Sequence, residues 1–241
     1  MFMNLVIDNG NTRIKVALFS GLKLHEKKLF ATRDELKFFL ENKEIEHCLV
    51  SSVSQSSTEV LSWINAFGIK LSLTADLPVP IKIIYATPES LGVDRVAAVC
   101  GAVEIFPNQN CLVIDAGTCI NYEFVDAQAN YLGGAISPGI QMRFDALHKF
   151  TARLPLLNEI VKTDLVGNST ESCMKSGVMN GILAEVNGII DQYSKKFPNL
   201  GVILCGGDTL FFETNLKHTI FAAPNLVLYG LNRILLHNVH H

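Results

Sequence analysis

An apolar run, Leu5-Val6-Ile7, stops at Asp8-Asn9-Gly10-Asn11-Thr12. This is the pattern of a buried strand that delivers a carboxylate to a tight turn. It returns at Leu112-Val113-Ile114-Asp115-Ala116-Gly117-Thr118, so that both copies read Leu-Val-Ile-Asp-x-Gly with a threonine close behind. A third glycine turn, Cys205-Gly206-Gly207-Asp208, follows another short apolar run.

The patterning around the first copy predicts a strand over Met3 to Asp8. A second runs over Arg13 to Phe19, where Ile14, Val16 and Leu18 alternate with Arg13, Lys15 and Ala17, and a third over Leu22 to Phe30 after Gly21. Thr32-Arg33-Asp34-Glu35 is a capping box, which predicts a helix from about Asp34 to Asn42. A strand at Cys48 to Val53 follows. Ser56-Ser57-Thr58-Glu59 opens a second capped helix that Gly68 closes, and Ile69 to Leu73 completes the unit.

An apolar helix over about Arg95 to Ile105 leads to the polar stretch Phe106-Pro107-Asn108-Gln109-Asn110, where the domain boundary is expected. The order then repeats. Strands are expected at Cys111 to Ala116, Ile120 to Val125 and Tyr131 to Ser137, and helices at Gly139 to Phe150 and Glu171 to Lys196. A strand at Val202 to Cys205, a short helix at Asp208 to Leu216 and a last helix at Asn225 to His237 finish the chain. A repeated three-strand meander followed by alternating helices and strands predicts an α/β protein of two like domains, 1–106 and 107–241.

The long helix carries a second pattern. Gly177, Gly181, Ala184 and Gly188 fall on one face, and that face has almost no side chains. Glycine inside a helix costs roughly 1 kcal/mol against alanine. Close approach of another backbone is the natural reason, either within the chain or at a subunit interface.

Composition narrows the class. Of 241 residues, 49% are apolar and 18% charged, so core material is plentiful and disorder is not expected. The net charge is −3 and no basic block exceeds Lys27-Lys28 or Lys195-Lys196, which argues against a nucleic-acid surface. No run is long and apolar enough for a transmembrane helix, and no secretory leader is expected. The six cysteines lack Cys-x-x-Cys spacing and sit mostly in apolar surroundings, so they read as buried thiols of a cytoplasmic protein. The seven histidines show no ligand spacing, and His237, His240 and His241 read as part of a frayed tail.

Two related halves, each with a carboxylate and a glycine turn, point to a phosphate and metal site in the cleft between them. A glycine turn after a strand exposes backbone N–H groups to phosphate oxygens. An adjacent aspartate can hold a bridging cation, and Thr12 and Thr118 add donors. Between the halves, Tyr85-Ala86-Thr87-Pro88-Glu89-Ser90-Leu91-Gly92-Val93-Asp94-Arg95 runs from a polar loop into the apolar helix. Asp94 and Arg95 there suit two descriptions: a helix cap with a surface charge, or an acid that accepts a hydroxyl proton beside an arginine that holds an anion. Tyr131-Leu132-Gly133-Gly134-Ala135-Ile136-Ser137-Pro138-Gly139 is glycine-rich within and after a strand, where a ligand or another backbone can come close.

These motifs, in this order and over nearly the whole chain, resemble the type III pantothenate kinases, a family in the superfamily of acetate and sugar kinases, heat-shock chaperones and actin. The resemblance rests on Asp8-Asn9-Gly10-Asn11-Thr12, Gly92-Val93-Asp94-Arg95, Asp115-Ala116-Gly117-Thr118 and the Gly133-Gly134 to Pro138-Gly139 segment. Thr151-Ala152-Arg153-Leu154-Pro155, Thr170 ahead of Ser176-Gly177, and Gly206-Gly207-Asp208 support it. The Asp-x-Gly turns belong to the whole superfamily, and the Gly-x-Asp-Arg segment points to this family.

The resemblance implies two ribonuclease H-like, actin-like ATPase domains with the active site between them. It implies ATP-dependent phosphorylation of pantothenate to 4'-phosphopantothenate, the first step of coenzyme A biosynthesis. By the same resemblance, Asp8, Asn9, Gly10, Asn11, Thr12, Arg13, Ile14 and Lys15 wrap the ATP phosphates, with Asp8 near magnesium, and Thr118 touches ATP. Tyr85, Gly92, Val93, Asp94 and Arg95 line the pantothenate pocket with Thr170, and Asp94 accepts the hydroxyl proton. Asp115 binds a monovalent cation, K+ or NH4+, and the protein is a homodimer. Cys119 and Asn121 stand where the family has a small apolar residue and a threonine, and Glu123 where it more often has aspartate. A non-enzymatic accessory regulator of the same fold is the alternative. It would keep the glycine turns but would be at liberty to lose Asp94, Arg95 or Asp115, all of which are present.

Overall fold

The computed structural model describes residues 3–10, 13–41, 43–52 and 57–239. The chain folds into two compact units. The first comprises Met1–Asn108, Gln128–Leu132 and Asn225–His241, and the second Gln109–Ala127 and Gly133–Pro224. One change of unit falls at Asn108. The last helix, however, is counted with the first unit rather than with the segment 107–241.

In the first unit, β1 (Met3–Asn9), β2 (Ile14–Ser20), β3 (Lys23–Phe30), β4 (Ile45–Ser52) and β5 (Lys70–Ser72) form a sheet in the order β3-β2-β1-β4-β5. The meander β1–β2–β3 is antiparallel, while β4 and β5 join in parallel. Central β1 is buried on both faces, hence its unbroken apolar run. Edge strand β3 carries Lys23, Glu26, Lys27 and Lys28, charges that discourage a further strand from adding. The helix α1 (Arg33–Leu40) begins on the capping box foreseen at Thr32 and Glu35. The other foreseen box begins at Ser56, outside the described residues, and its helix α2 (Ser57–Ser62) is shorter than the run to Gly68. Leu36 and Leu40 of α1 and Val60 of α2 pack with Leu5, Ile7, Val16, Cys48 and Val50 on one face of the sheet.

The opposite face is covered by α3 (Val93–Ile105) and α7 (Leu226–Val239). These helices meet backbone to backbone. A Cβ on Gly230 would run into the carbonyl of Ala97, and one on Gly101 would come within 2.7 Å of the Leu226 carbonyl. That contact is why the last helix belongs to the first unit.

The second unit contains β7 (Cys111–Ala116), β8 (Cys119–Val125), most of β9 (Asn130–Pro138), β10 (Gly201–Cys205) and β11 (Phe221–Ala222). Their order, β11-β10-β7-β8-β9, retraces the first sheet strand for strand. Again an antiparallel neighbour flanks the central strand on one side and a parallel one on the other. The helices α4 (Ile140–Lys149), α5 (Thr170–Lys196) and α6 (Thr209–Asn215) contribute Phe144, Val178, Ile182, Val186 and Phe212 to a core built on Leu112, Ile114 and Tyr122. The first residues of β9 pair in parallel with β6 (Lys82–Ile83), and these residues are counted with the first unit. A single 3-10 turn, Pro88–Ser90, precedes α3.

Two glycine patterns resolve differently. Gly134 in β9 lies so close to the backbone of Tyr122 that a side chain would not fit, so another backbone, not a ligand, explains it. Along α5, a Cβ at Gly177, Gly181 or Gly188 would meet nothing within 4 Å. Packing among the described residues therefore does not account for that stripe.

Candidate functional site

The first unit gathers polar groups at the C-terminal ends of β1 and β4. Asp8 is paired in register with Lys15 on β2 and with Ser51 on β4. Because paired residues share a sheet face, Lys15, Asp8 and Ser51 form a row across three strands, on the face that α3 and α7 cover. The Lys15 Nζ lies 3.2 Å from the Asp8 carboxylate. Asp8 is 7% exposed, and burial pushes its carboxyl above the usual range while Lys15 pulls the other way and the nearby charge of Asp94 adds to the rise. One register step further, Asn9 Nδ2 donates to Ser52 Oγ at 3.1 Å.

Among the residues expected to wrap phosphates, the Ile14 side chain is in the apolar core, so only its backbone is available to a ligand. Arg13 is exposed. Asn11 and Thr12 lie outside the described residues.

Asp94 sits in the first turn of α3. Its Oδ1 accepts the Arg95 N–H at 3.0 Å, which fixes the carboxylate at the helix start. A Cβ on Gly92 would come within 2.6 Å of that same oxygen, so only glycine leaves Asp94 undisturbed there. The Arg95 guanidinium lies 5.7 Å from the ring centroid of Tyr85, which stacks in turn on buried Tyr131 with 6.3 Å between centroids. Gly92, Asp94, Arg95 and Tyr85 are thus brought together.

In the second unit, Asp115 occupies the position on β7 that Asp8 holds on β1, with Asn121 and Cys205 as its register partners. The turn after it is tightly organised. Gly206 has φ +95°, and a Cβ there would press on the Ala116 carbonyl and come within 2.5 Å of Asp115 Oδ1. Asp208 N–H donates to Ala116 O at 3.0 Å, and burial raises the Asp208 carboxyl above its ordinary range. Gly139 N–H donates to Thr118 O at 3.1 Å, which ties the start of α4 to the β7–β8 turn. Thr118 is exposed, and Thr170 is exposed at the first position of α5.

A polar network supports this region. Arg143 Nη2 donates to Glu185 Oε2 at 2.6 Å and to Ser137 Oγ at 2.9 Å, and its Nε donates to Pro138 O. Tyr122 OH donates to Glu185 Oε1 at 3.0 Å. Burial raises the Glu185 carboxyl, but the donors from Arg143, Ser137 and Tyr122 outweigh it and leave the group below its usual range. Beside Asp208 an open groove of about 640 Å³ is walled by Ile160, Lys162, Leu210 and Phe211.

With this geometry, comparison with known proteins is decisive. The family model for type III pantothenate kinase matches residues 4–192. The chain belongs to the type III pantothenate kinase family. It is 45% identical over 241 residues to the type III pantothenate kinase of Christiangramia forsetii, covering 97% of this chain and 98% of that one. It is 44% identical to that of Bacteroides fragilis, with 98% of each covered. Among solved structures, a conserved putative Baf family transcriptional activator from Campylobacter jejuni superposes with TM-score 0.65 at 22% identity, covering 98% of this chain and 100% of that one. A glucokinase from an Antarctic psychrotroph gives TM-score 0.52 at 12% identity, with 99% of each covered. At such identities the likeness is one of fold, the two-domain actin-like kinase fold.

The residues fit the groups that a kinase of this fold employs. Among the described residues, a Cβ at Gly117 would meet nothing within 4 Å, and one at Gly10 only the Arg13 carbonyl at 3.5 Å. Neither glycine is in the left-handed region. Packing against the described residues does not require these glycines, and a bare backbone there leaves room for a phosphate. No cluster of three or more His, Cys, Asp or Glu side chains occurs among the described residues. A cation at Asp8 or Asp115 would be held by a single carboxylate with backbone and ligand oxygens, the donor set of hard cations. Sequence reasoning missed Ser51 and gave no role to Asp208. A serine near a strand end and an aspartate after two glycines both read as ordinary turn residues.

Proposed function

We infer that the chain catalyses the reaction for which its family is named, transfer of the terminal phosphoryl group of ATP to the primary hydroxyl of pantothenate. The products are 4'-phosphopantothenate and ADP, and the reaction opens coenzyme A biosynthesis. Asp94, fixed by the Arg95 N–H at the start of α3, is the observation that carries the residue-level reading. Its carboxylate accepts the hydroxyl proton as the pantothenate oxygen bonds to phosphorus and the bond to ADP breaks. Arg95, Tyr85, Gly92 and Val93 hold pantothenate, with Thr170 as a further contact.

Phosphoryl transfer of this kind passes through a loose transition state, so the protein chiefly positions groups and neutralises charge. The backbone of 8–15 cradles the phosphates, and Lys15 adds positive charge beside Asp8. Asp8 holds magnesium, which when bound offsets the charge of the phosphate oxygens. Asp115 holds the monovalent cation, K+ or NH4+, and Thr118 meets ATP. The groove beside Asp208 has the volume and the apolar walls for a nucleoside.

The protein acts in the cytoplasm as a homodimer in this reading. Support for the dimer comes from the exposed Gly177, Gly181 and Ala184 stripe of α5, which nothing among the described residues covers. No helix among the described residues is long and apolar enough to cross a membrane. Nothing favours the accessory-regulator alternative.

Purified protein is to be assayed for ATP-dependent phosphorylation of pantothenate in potassium and in sodium, with Asp94→Asn alongside. A general base contributes about 10²–10⁴-fold, so the variant loses turnover by that factor and keeps its fold. Turnover that is independent of potassium would remove the role given to Asp115. Absence of turnover from protein that still binds ATP would restore the regulator.

A further inference from the structure

Arg143 lies in the first turn of α4, where a cation opposes the helix dipole. It is poorly placed as a plain surface charge. Its guanidinium reaches back past the start of its own helix, with Nη2 donating to Glu185 and Ser137 and Nε donating to the Pro138 carbonyl at 2.9 Å. The Arg143 main-chain N–H donates to the Gly139 carbonyl at 3.2 Å. One residue thus holds the peptide groups on both sides of Gly139.

The first of those groups reaches further. The Pro138 carbonyl and the Gly139 N–H belong to a single planar peptide. Its oxygen accepts from Arg143, and its N–H donates to the Thr118 carbonyl at 3.1 Å. Hydrogen bonds in series polarise one another, so Arg143 both orients this peptide and strengthens its hold on Thr118. The approach is close, since a Cβ on Gly139 would run into the carbonyl oxygens of Gly117 and Thr118. Both turn carbonyls therefore face the start of α4, which has no side-chain cap and no acid in its first turn. In a planar trans peptide the N–H points opposite to the C=O. The Thr118 N–H shares its peptide with the Gly117 carbonyl and so points away from α4. Donors fixed in one direction before the ligand arrives are what preorganised binding of a phosphate requires.

We propose that Arg143 is a positioning residue for the nucleotide, fixing the Gly117–Thr118 turn through the Pro138–Gly139 peptide while Glu185 anchors the guanidinium from α5. The proposal rests on the reading that this turn meets ATP. An ion pair that served stability alone would need only Glu185. The bond from Nε to the Pro138 carbonyl is what connects the pair to the turn.

The test is calorimetric binding of a non-hydrolysable ATP analogue, with Mg2+, to full-length protein. Wild type is compared with Arg143→Lys, Arg143→Ala, Tyr122→Phe and Gly117→Val. Lysine keeps the charge opposite Glu185, but with one nitrogen where arginine has three it cannot serve Glu185, Ser137 and Pro138 together. A hydrogen bond to a charged group is worth about a 10-fold change in affinity or more, so both Arg143 variants bind the analogue about 10-fold more weakly. In steady-state assays the ATP KM rises by a similar factor while the pantothenate KM is unchanged, a split that a merely structural role would not produce. Tyr122→Phe removes another bond to Glu185 but none to Pro138. It lowers the melting midpoint and leaves the analogue affinity at the wild-type value. Gly117→Val examines the underlying reading, because a Cβ there meets nothing within 4 Å among the described residues and the side chain fills the room given to a phosphate. Wild-type affinity in both Arg143 variants, with binding lost in Gly117→Val, overturns the proposal and leaves the ATP reading of the turn standing. Equal weakening in Tyr122→Phe and the Arg143 variants also overturns it, since the effect is then one of stability. Wild-type affinity in Gly117→Val overturns both.

Discussion

Asp8 serves the proposed reaction and is costly to the fold. Its folded-state carboxyl lies above the ordinary value of 3.8, with burial as the largest cause. An acid whose folded value is raised weakens the native state as pH climbs through the interval from 3.8 to that raised value, because the unfolded chain ionises first. Asp8→Asn is therefore expected to raise the melting temperature of ligand-free protein at pH 7 while it abolishes turnover, and the gain is expected to shrink as the pH falls from the raised value towards 3.8 and to be gone below it. Scanning calorimetry across that range reads it directly. Gly92→Ala makes the complementary case. The new Cβ would press on Asp94 Oδ1, and displacement of a catalytic group by about 1 Å can cost 10²-fold, so kcat is expected to fall by up to that factor with little change in melting temperature. Asp8, Gly92 and Asp94 were legible in the sequence because a strand-to-turn junction and a helix start leave local signatures. Arg143 was not, since Glu185 and the Ser137-Pro138 segment that it holds lie on other elements.

Elements with a strong period or a cap were legible for the same reason. Alternation at Ile14, Val16 and Leu18 gave the meander, and Thr32 with Glu35 gave the start of α1. The strands β6 and β11 are two residues each, too short for any period to show. The pairing of α3 with α7 was invisible because it depends on Gly101 and Gly230 meeting across a long stretch of chain. Gly230→Ala forces that crossing apart. Overpacking costs about 1–3 kcal/mol, occasionally more, and a melting-temperature fall of roughly 2–4 °C per kcal/mol is expected for a chain of this size. In the other unit, Arg143 joins α4, α5 and the end of β9 through Glu185 and Ser137. With Glu185 held below its ordinary 4.5, the stabilisation from this network is present above that pH and is lost as pH falls through the lowered value. Arg143→Ala is expected to cost about 1–2 kcal/mol at pH 7, discounted for partial exposure, and the difference from wild type is expected to narrow in acid.

At the scale of the molecule, each unit sets an aspartate one residue before the end of its central strand, and the five strands of the first sheet have counterparts in the second, which adds β6 at its edge. This repeat was legible because both copies retain the same six-residue pattern. The purpose of the α5 stripe was not, since sequence left two explanations and the structure removes only one. If the stripe meets a second copy, Gly181→Leu is expected to shift the protein from dimer to monomer in light scattering, because a large side chain blocks backbone approach. If it faces water, the same change strengthens the helix by roughly 0.5–1 kcal/mol and leaves the mass alone. The division of the chain carries a consequence for how the protein is made. The unit that holds Asp8 and Asp94 is completed by 225–241, a segment that leaves the ribosome after all of the second unit, whose core cluster draws nothing from it. The unit begun earlier is therefore completed after its neighbour. A nascent chain stalled before α7 would present a settled second unit and an open first one, with the apolar flank of α3 available to chaperones and proteases until α7 follows.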